Sequence, residues 1–185
     1  MKIVSIVQAS MGSTRLPGKV MMPVAGKPLI ARVIDVLSTV SLLDEIVLAI
    51  SSNPIDDILA DYAKDEGISL YRGDQHDVLE RYVGAAVKAR ADVIVRNCGD
   101  SPLLDRDVIS HVINVYIRND YDYVSNTLQH TWPIGLDTEV LSFKALEMAS
   151  LNAIDPLERE HVTVYHKRNP DLFSLFNVCA LSSKK

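Results

Sequence analysis

Apolar, β-branched runs alternate along this chain with stripes of apolar residues at helical spacing. The run Lys2 to Val7 reads as a short buried strand. Leu29, Ile30, Val33, Ile34, Leu37 and Val40 then recur on one face of a helix. Glu45 to Ile50 predicts a second strand, apolar on both faces. Asn53 is placed to cap the next helix, with Pro54 at its first position and Gly67 at its end. A short strand, Ile68 to Tyr71, precedes a helix over 77–90 that buries Val78, Leu79, Tyr82, Val83 and Val87. Asp92 to Arg96 is a further strand, and Asp105 caps a helix carrying Val108, Ile109, Val112, Ile113 and Tyr116.

Repeated β-α units with strands this apolar predict an α/β fold, a mostly parallel central sheet with helices on both faces. Ligands of such sheets gather beyond the carboxyl ends of the strands, where loops distant in sequence converge. After Asp120 the pattern changes. Residues 121–126 and 136–141 alternate as strands, with Pro133 and Gly135 between them. Short helices are expected over 143–150 and 156–167, then a last strand over 173–178. Residues 1–181 read as one domain and 182–185 as a polar tail.

With 185 residues, 48% of them hydrophobic, the chain has material for a substantial core. A net charge of −5 argues against a general nucleic-acid binder. No apolar run approaches the ~20 residues of a membrane span, and the N-terminus lacks a signal-peptide pattern. Cys98 and Cys179 lie far apart without metal-ligand spacing and read as reduced thiols, so the cytoplasm is the expected location.

The first strand leads into Gln8-Ala9-Ser10-Met11-Gly12-Ser13-Thr14-Arg15-Leu16-Pro17-Gly18-Lys19, a loop with glycines, hydroxyls and two cations. Pro17-Gly18 fits the centre of a type II turn that would aim Lys19. Such a loop suits a polyphosphate, but it matches neither common phosphate-loop pattern, and a polar turn before a helix is the plain alternative. Asn97-Cys98-Gly99-Asp100-Ser101-Pro102 places a hard carboxylate at a strand's end, a ligand for Mg²⁺ or a turn cap. Asp77 and Glu80 read as first-turn residues favoured by the helix dipole, and Arg81 and Arg96 as surface or ion-pair residues. Asp137 and Glu139, two apart on an expected strand, point to one face, for sugar hydroxyls, a second metal or a solvated edge. Asp120-Tyr121-Asp122 imitates a glycosyltransferase motif but fits a strand better. No His is placed to activate Cys98 as a nucleophile.

The loop, continuing through Pro23-Val24-Ala25-Gly26-Lys27-Pro28-Leu29-Ile30, resembles the signature of the sugar cytidylyltransferases. It is most similar to the spore-coat polysaccharide biosynthesis protein F group, relatives of the enzymes that make CMP-activated ulosonic and sialic acids. The resemblance covers nearly the whole chain. It implies a Rossmann-like nucleotidyltransferase fold. It further implies that Gln8, Ala9, Ser10, Gly12, Ser13, Arg15 and Lys19 line the nucleotide, with Arg81 and Arg96 beside it. Gly-Asp-x-Pro marks Asp100 as the metal ligand, and Asp137, Glu139 and His161 face the acceptor. Two departures stand out. Ser10 occupies a position where the family usually has Arg. The acidic Asp-x-Pro-Glu-Asp type segment that normally follows is absent, as in a truncated member or one part of a longer protein.

The implied reaction is attack of an acceptor oxygen, on a sugar acid or amino sugar, at the α-phosphorus of CTP with release of pyrophosphate. Lys19 and Arg15 would neutralise the outer phosphates, and Asp100 would hold Mg²⁺. The expected partners are CTP and the acceptor, with room for a homodimer. Two other readings stay open: a non-catalytic nucleotide- or sugar-binding domain, and a nucleotidyltransferase for another base.

Overall fold

The computed structural model describes residues 1–180; the polar tail read from the sequence lies outside them. The sheet is built from β1 (Ile3–Gln8), β4 (Glu45–Ser51), β5 (Ser69–Gly73), β6 (Val93–Cys98), β7 (Tyr123–Ser125), β8 (Glu139–Ser142) and β9 (Leu175–Asn177). The two remaining strands, β2 (Pro23–Val24) and β3 (Lys27–Pro28), form a separate small hairpin. Its turn residues Ala25 and Gly26 both have positive φ, 49° and 84°, as a tight primed turn requires.

Strand order in the main sheet is β5-β4-β1-β6-β8-β7-β9. The first four strands are parallel, β8 runs antiparallel to both β6 and β7, and β9 is parallel to β7. The chain moves outward from β1 to β5 and returns to β6 on the other side of β1. The gap beyond the carboxyl ends of β1 and β6 is therefore the topological switch point. Reversal of β8 brings its first residue, Glu139, beside Arg96 at that same rim.

Alternation along the strands feeds two cores. One packs Ile3 and Val7 of β1 against α1 (Leu29–Leu37), α2 (Asp57–Asp65) and α4 (Arg106–Ile117). The other packs Val4 and Ile6 against α3 (Val78–Ala89) and α5 (Phe143–Asn152). Helices on both faces of a mostly parallel sheet are what the apolar strands predicted. Asn53 and Asp105 cap as expected, accepting from Ile55 N and from Asp107 N and Val108 N. No helix among the described residues is long and apolar enough to cross a membrane.

Two boundaries differ from the sequence reading. The single helix expected over 156–167 is two, α6 (Pro156–Glu160) and α7 (Val164–Arg168). Between them Thr163 turns its hydroxyl inward to donate to Glu139 at 2.8 Å. The strand expected from Leu136 begins only at Glu139, because Asn126 ties down the preceding backbone. Its amide donates to Leu136 O at 2.8 Å and accepts from Thr138 N at 2.8 Å. Asp137 is thus a loop residue, and it does not share a strand with Glu139.

Candidate active site

The signature loop closes on itself where β1 ends. Gly18 N donates to Met11 O at 2.9 Å, and Lys19 N donates to Leu16 O at 3.3 Å. With Gly18 at φ 72° and ψ 6°, Leu16–Lys19 has the bond and the positive φ of a type II turn. Below the loop lies Asp56, fully buried, whose part is not visible in the sequence. Its carboxylate accepts from Met11 N at 2.7 Å, Ser10 Oγ at 3.2 Å and Ser51 N at 3.1 Å, and also from Ser51 Oγ. Ser10 Oγ in turn accepts from Gly12 N at 3.1 Å. The Ser10 hydroxyl is therefore occupied in holding the loop.

A cleft of about 460 Å³ opens over this loop. Gln8, Ala9, Ser10, Gly12, Ser13, Arg15 and Lys19 line it on one side, and Arg81, Asp100, Glu160 and His161 complete it. Lys19 Nζ pairs with Asp100 across the cleft. Arg15 is exposed. Arg81, on the first turn of α3, is 4% exposed, and its Nη1 donates to Asp74 O at 2.9 Å. Among the described residues its Nε has no partner, and burial draws its pKa down, since Asp56, Asp74 and Asp77 act on it only from a distance. A buried guanidinium without a paired carboxylate, facing a cleft with two further cations, is a site for an anion.

A smaller cleft of about 250 Å³ adjoins it, with Cys98 on both linings. Arg96, Ser101, Thr127, His130, Asp137, Glu139 and Lys167 line this second space. At its floor Glu139, 3% exposed, gathers four donors. Arg96 Nη1 pairs with it, Lys167 Nζ donates at 2.8 Å, Thr163 Oγ1 at 2.8 Å and Tyr123 Oη at 2.5 Å. Burial alone would raise the pKa of Glu139, but the Arg96 and Lys167 cations and the hydrogen bonds hold it well below the usual carboxylate range. Arg96 is likewise penalised by burial and raised on balance by Glu139.

The distribution between the two clefts differs from the sequence expectation at three residues. Arg96, expected at the nucleotide, lines the smaller cleft, and its Nη2 donates to Gln8 Oε1 at 3.1 Å. His161, expected at the acceptor, is exposed on the larger cleft at the end of α6. Glu139 offers a ligand little, because its oxygens already accept from four protein donors. Sequence reasoning also passed over Lys167 and His130, which only the turns after β7 and α6 bring to the site. Arg159 lies outside both clefts and braces the larger one. It pairs with Asp77, the cap of α3, and donates to Ser150 O at 2.6 Å.

Cys98 and Cys179 are free thiols, and burial pushes the Cys98 thiol up, which suits a wall rather than a nucleophile. Asp122, from the apparent glycosyltransferase motif, is spent on Ser174, accepting from its N at 2.9 Å and its Oγ at 2.8 Å.

A doubly wound sheet with a cation-lined cleft at its switch point, joined to a second polar cleft, defines a nucleotide-dependent group-transfer protein. A cytidylyltransferase family model matches residues 4–183. Among curated relatives, an uncharacterized protein of Methanocaldococcus jannaschii is 36% identical over 176 residues, covering 95% of this chain and 71% of its own length. The spore coat polysaccharide biosynthesis protein SpsF of Bacillus subtilis is 32% identical over 178 residues, covering 92% of this chain and 72% of its own. The solved structure of a cytidylyltransferase from Leptospira borgpetersenii superimposes with a TM-score of 0.94 at 30% identity, covering all of this chain and 79% of that one. The chain belongs to the cytidylyltransferase family, whose members are CTP-dependent nucleotidyltransferases.

Proposed function

We propose that this chain transfers a cytidylyl group from CTP to a sugar acid in the cytoplasm, releasing pyrophosphate, with Mg²⁺ as its metal. The observation that carries the reading is the pair of adjoining clefts, one with three cations and a carboxylate, the other with its own cationic floor. In the larger cleft Arg15, Lys19 and Arg81 neutralise the phosphates and hold the α-phosphorus toward the smaller one. Asp100 fits a hard cation whose other ligands are phosphate oxygens, since no group of three His, Cys, Asp or Glu among the described residues would hold one unaided. Bound there, Mg²⁺ supplies charge neutralisation at the leaving pyrophosphate.

The acceptor's class follows from charge. Around Glu139 two cations, Arg96 and Lys167, meet one carboxylate, so that corner of the smaller cleft carries an excess positive charge, which Asp137 balances elsewhere on the lining. A sugar carboxylate meets that excess, whereas an amino sugar adds to it. Asp137, exposed on the same cleft and clear of the Glu139 cluster, orients the acceptor hydroxyls.

Pyrophosphate release measured with each of the four nucleoside triphosphates, with and without sugar acids and amino sugars, tests the reading. Release only with CTP and a sugar acid is expected; release with another base or an amino sugar overturns the corresponding half. Nucleotide binding without turnover is the second reading, favoured by Ser10, whose neutral hydroxyl is committed to Asp56 and Gly12.

A further inference from the structure

We infer that Lys19 holds the place of the divalent cation on Asp100 in the free protein, so that metal and nucleotide bind as a coupled pair. This rests on the reading of the larger cleft as a nucleotide·metal site. The Lys19–Asp100 pair joins two loops whose residues are 81 positions apart, and its partners are only 25% and 37% exposed.

The backbone that carries the carboxylate is fixed. Gly99 N donates to Gln8 O at 2.8 Å and Ser101 N to Cys98 O at 3.2 Å, which fixes Asp100 from both sides. A side chain at Gly99 would lie 2.9 Å from Gln8 O and 2.8 Å from Ile30 Cδ1, so the two loops are packed in contact. On the other side only the backbone of Lys19 is fixed, by the type II turn. Its four-carbon stem is the movable part.

Asp100 alone is a weak ligand for a hydrated divalent ion, and a tethered ammonium competes with that ion at high effective concentration. A nucleotide changes the balance, because its phosphates give Lys19 a second anion and give the metal its remaining oxygens. Lys19 then leaves the carboxylate for phosphate as the cation arrives. Each ligand raises the affinity of the other by the same factor, as linkage demands.

The test is Mn²⁺ binding, followed by electron paramagnetic resonance without nucleotide, to the parent and to Lys19→Gln and Lys19→Met. Calorimetric titration of CTP, with and without Mg²⁺, accompanies it. Both variants should bind Mn²⁺ alone about two- to fivefold more tightly than the parent, the scale of a partly exposed ion pair. Asp100→Asn should tighten metal-free CTP binding more in the parent, where it also frees Lys19, than in the Lys19→Gln background. Folded Lys19 variants whose Mn²⁺ affinity is unchanged, weaker or absent overturn the inference. Failure of the parent to bind CTP with Mg²⁺ overturns the nucleotide reading instead, and the Mn²⁺ comparison is read independently of it.

Discussion

Gly99 and the carbonyl of Gln8 hold the two arms of the site together. The 2.8 Å bond from Gly99 N to Gln8 O leaves no room for a methyl group, which would also meet Ala9 Cβ at 3.0 Å. Gly99→Ala must therefore part the β1 and β6 loops. Forced overpacking of this kind costs about 1–3 kcal/mol. Thermal melting should show that loss, and CTP titration in the presence of Mg²⁺ a weaker affinity, because Asp100 is no longer held against the phosphate loop at the spacing a shared metal needs. A variant with parental melting and affinity would mean that the loops yield freely.

Arg81 sits buried without a paired carboxylate among the described residues, a state that costs stability unless an anion arrives. Arg81→Met should leave the melting temperature unchanged or higher, while CTP binding weakens by about 1.5–3 kcal/mol, the range for a charged hydrogen bond. A lower melting temperature with unchanged CTP affinity would make Arg81 a packing residue.

Glu139 has the opposite character, a buried carboxylate fully supplied with donors. Glu139→Gln strands Arg96 and Lys167 at the floor of the smaller cleft and should cost about 3–5 kcal/mol, the range for breaking a buried pair. Chemical denaturation measures it. A loss below 1 kcal/mol would show the cluster to be solvated.

His166 gives the fold a pH dependence. Burial lowers its pKa from 6.5 to about 4, against a weaker opposing bond to Ala145 O at 3.1 Å. The folded chain refuses the proton that the unfolded chain accepts below pH 6.5, so stability falls as pH drops from 6.5 toward 4. The full loss is about 3 kcal/mol at ~1.4 kcal/mol per tenfold change in proton affinity. Glu139, held low, adds a further loss only in the more acidic range where unfolded carboxylates protonate. His166→Gln, which keeps a donor for Ala145 O, should flatten the decline between pH 6.5 and 4. An unaltered slope in denaturant titrations would assign it to another group.

Ser10→Arg supplies a fork-shaped cation where the loop now has a hydroxyl. It should tighten CTP binding several-fold, roughly 1 kcal/mol or more, and leave cytidine binding unchanged, with the larger gain at low salt. Asp56 lies beneath and, among the described residues, accepts from neutral donors alone. A higher melting temperature with unchanged CTP affinity would show the new guanidinium turned down onto Asp56, away from the phosphates.

The parallel half of the sheet was legible because its strands are apolar on both faces, and its helices because their stripes and caps are local signals. The signature loop and Gly-Asp-x-Pro were legible as motifs, and the type II turn followed from Pro17-Gly18 alone. What escaped depends on contacts across the chain. Asp56 looks like an ordinary first-turn acid until the fold places Met11 and Ser51 around it. Glu139 looks like a strand-edge carboxylate until β6 brings Arg96 to it and α7 with its cap brings Lys167 and Thr163. The break between α6 and α7 has the same origin, since a hydroxyl drawn to a buried carboxylate overrides the helical pattern around it.

The reversed direction of β8 has a consequence for how such a protein can diversify. Residues up to Asp120 build most of the cleft proposed for the nucleotide, and most of the second cleft, from Thr127 to Lys167, comes from the segment after it. On that proposal acceptor preference can change by exchange of the later segment with little change to the larger cleft, to which it adds only Glu160 and His161 among the described residues. The exchange carries one rule. Arg96 belongs to the retained half and depends on Glu139 at its register partner, so a transplanted segment must bring a carboxylate to that position or leave the arginine stranded.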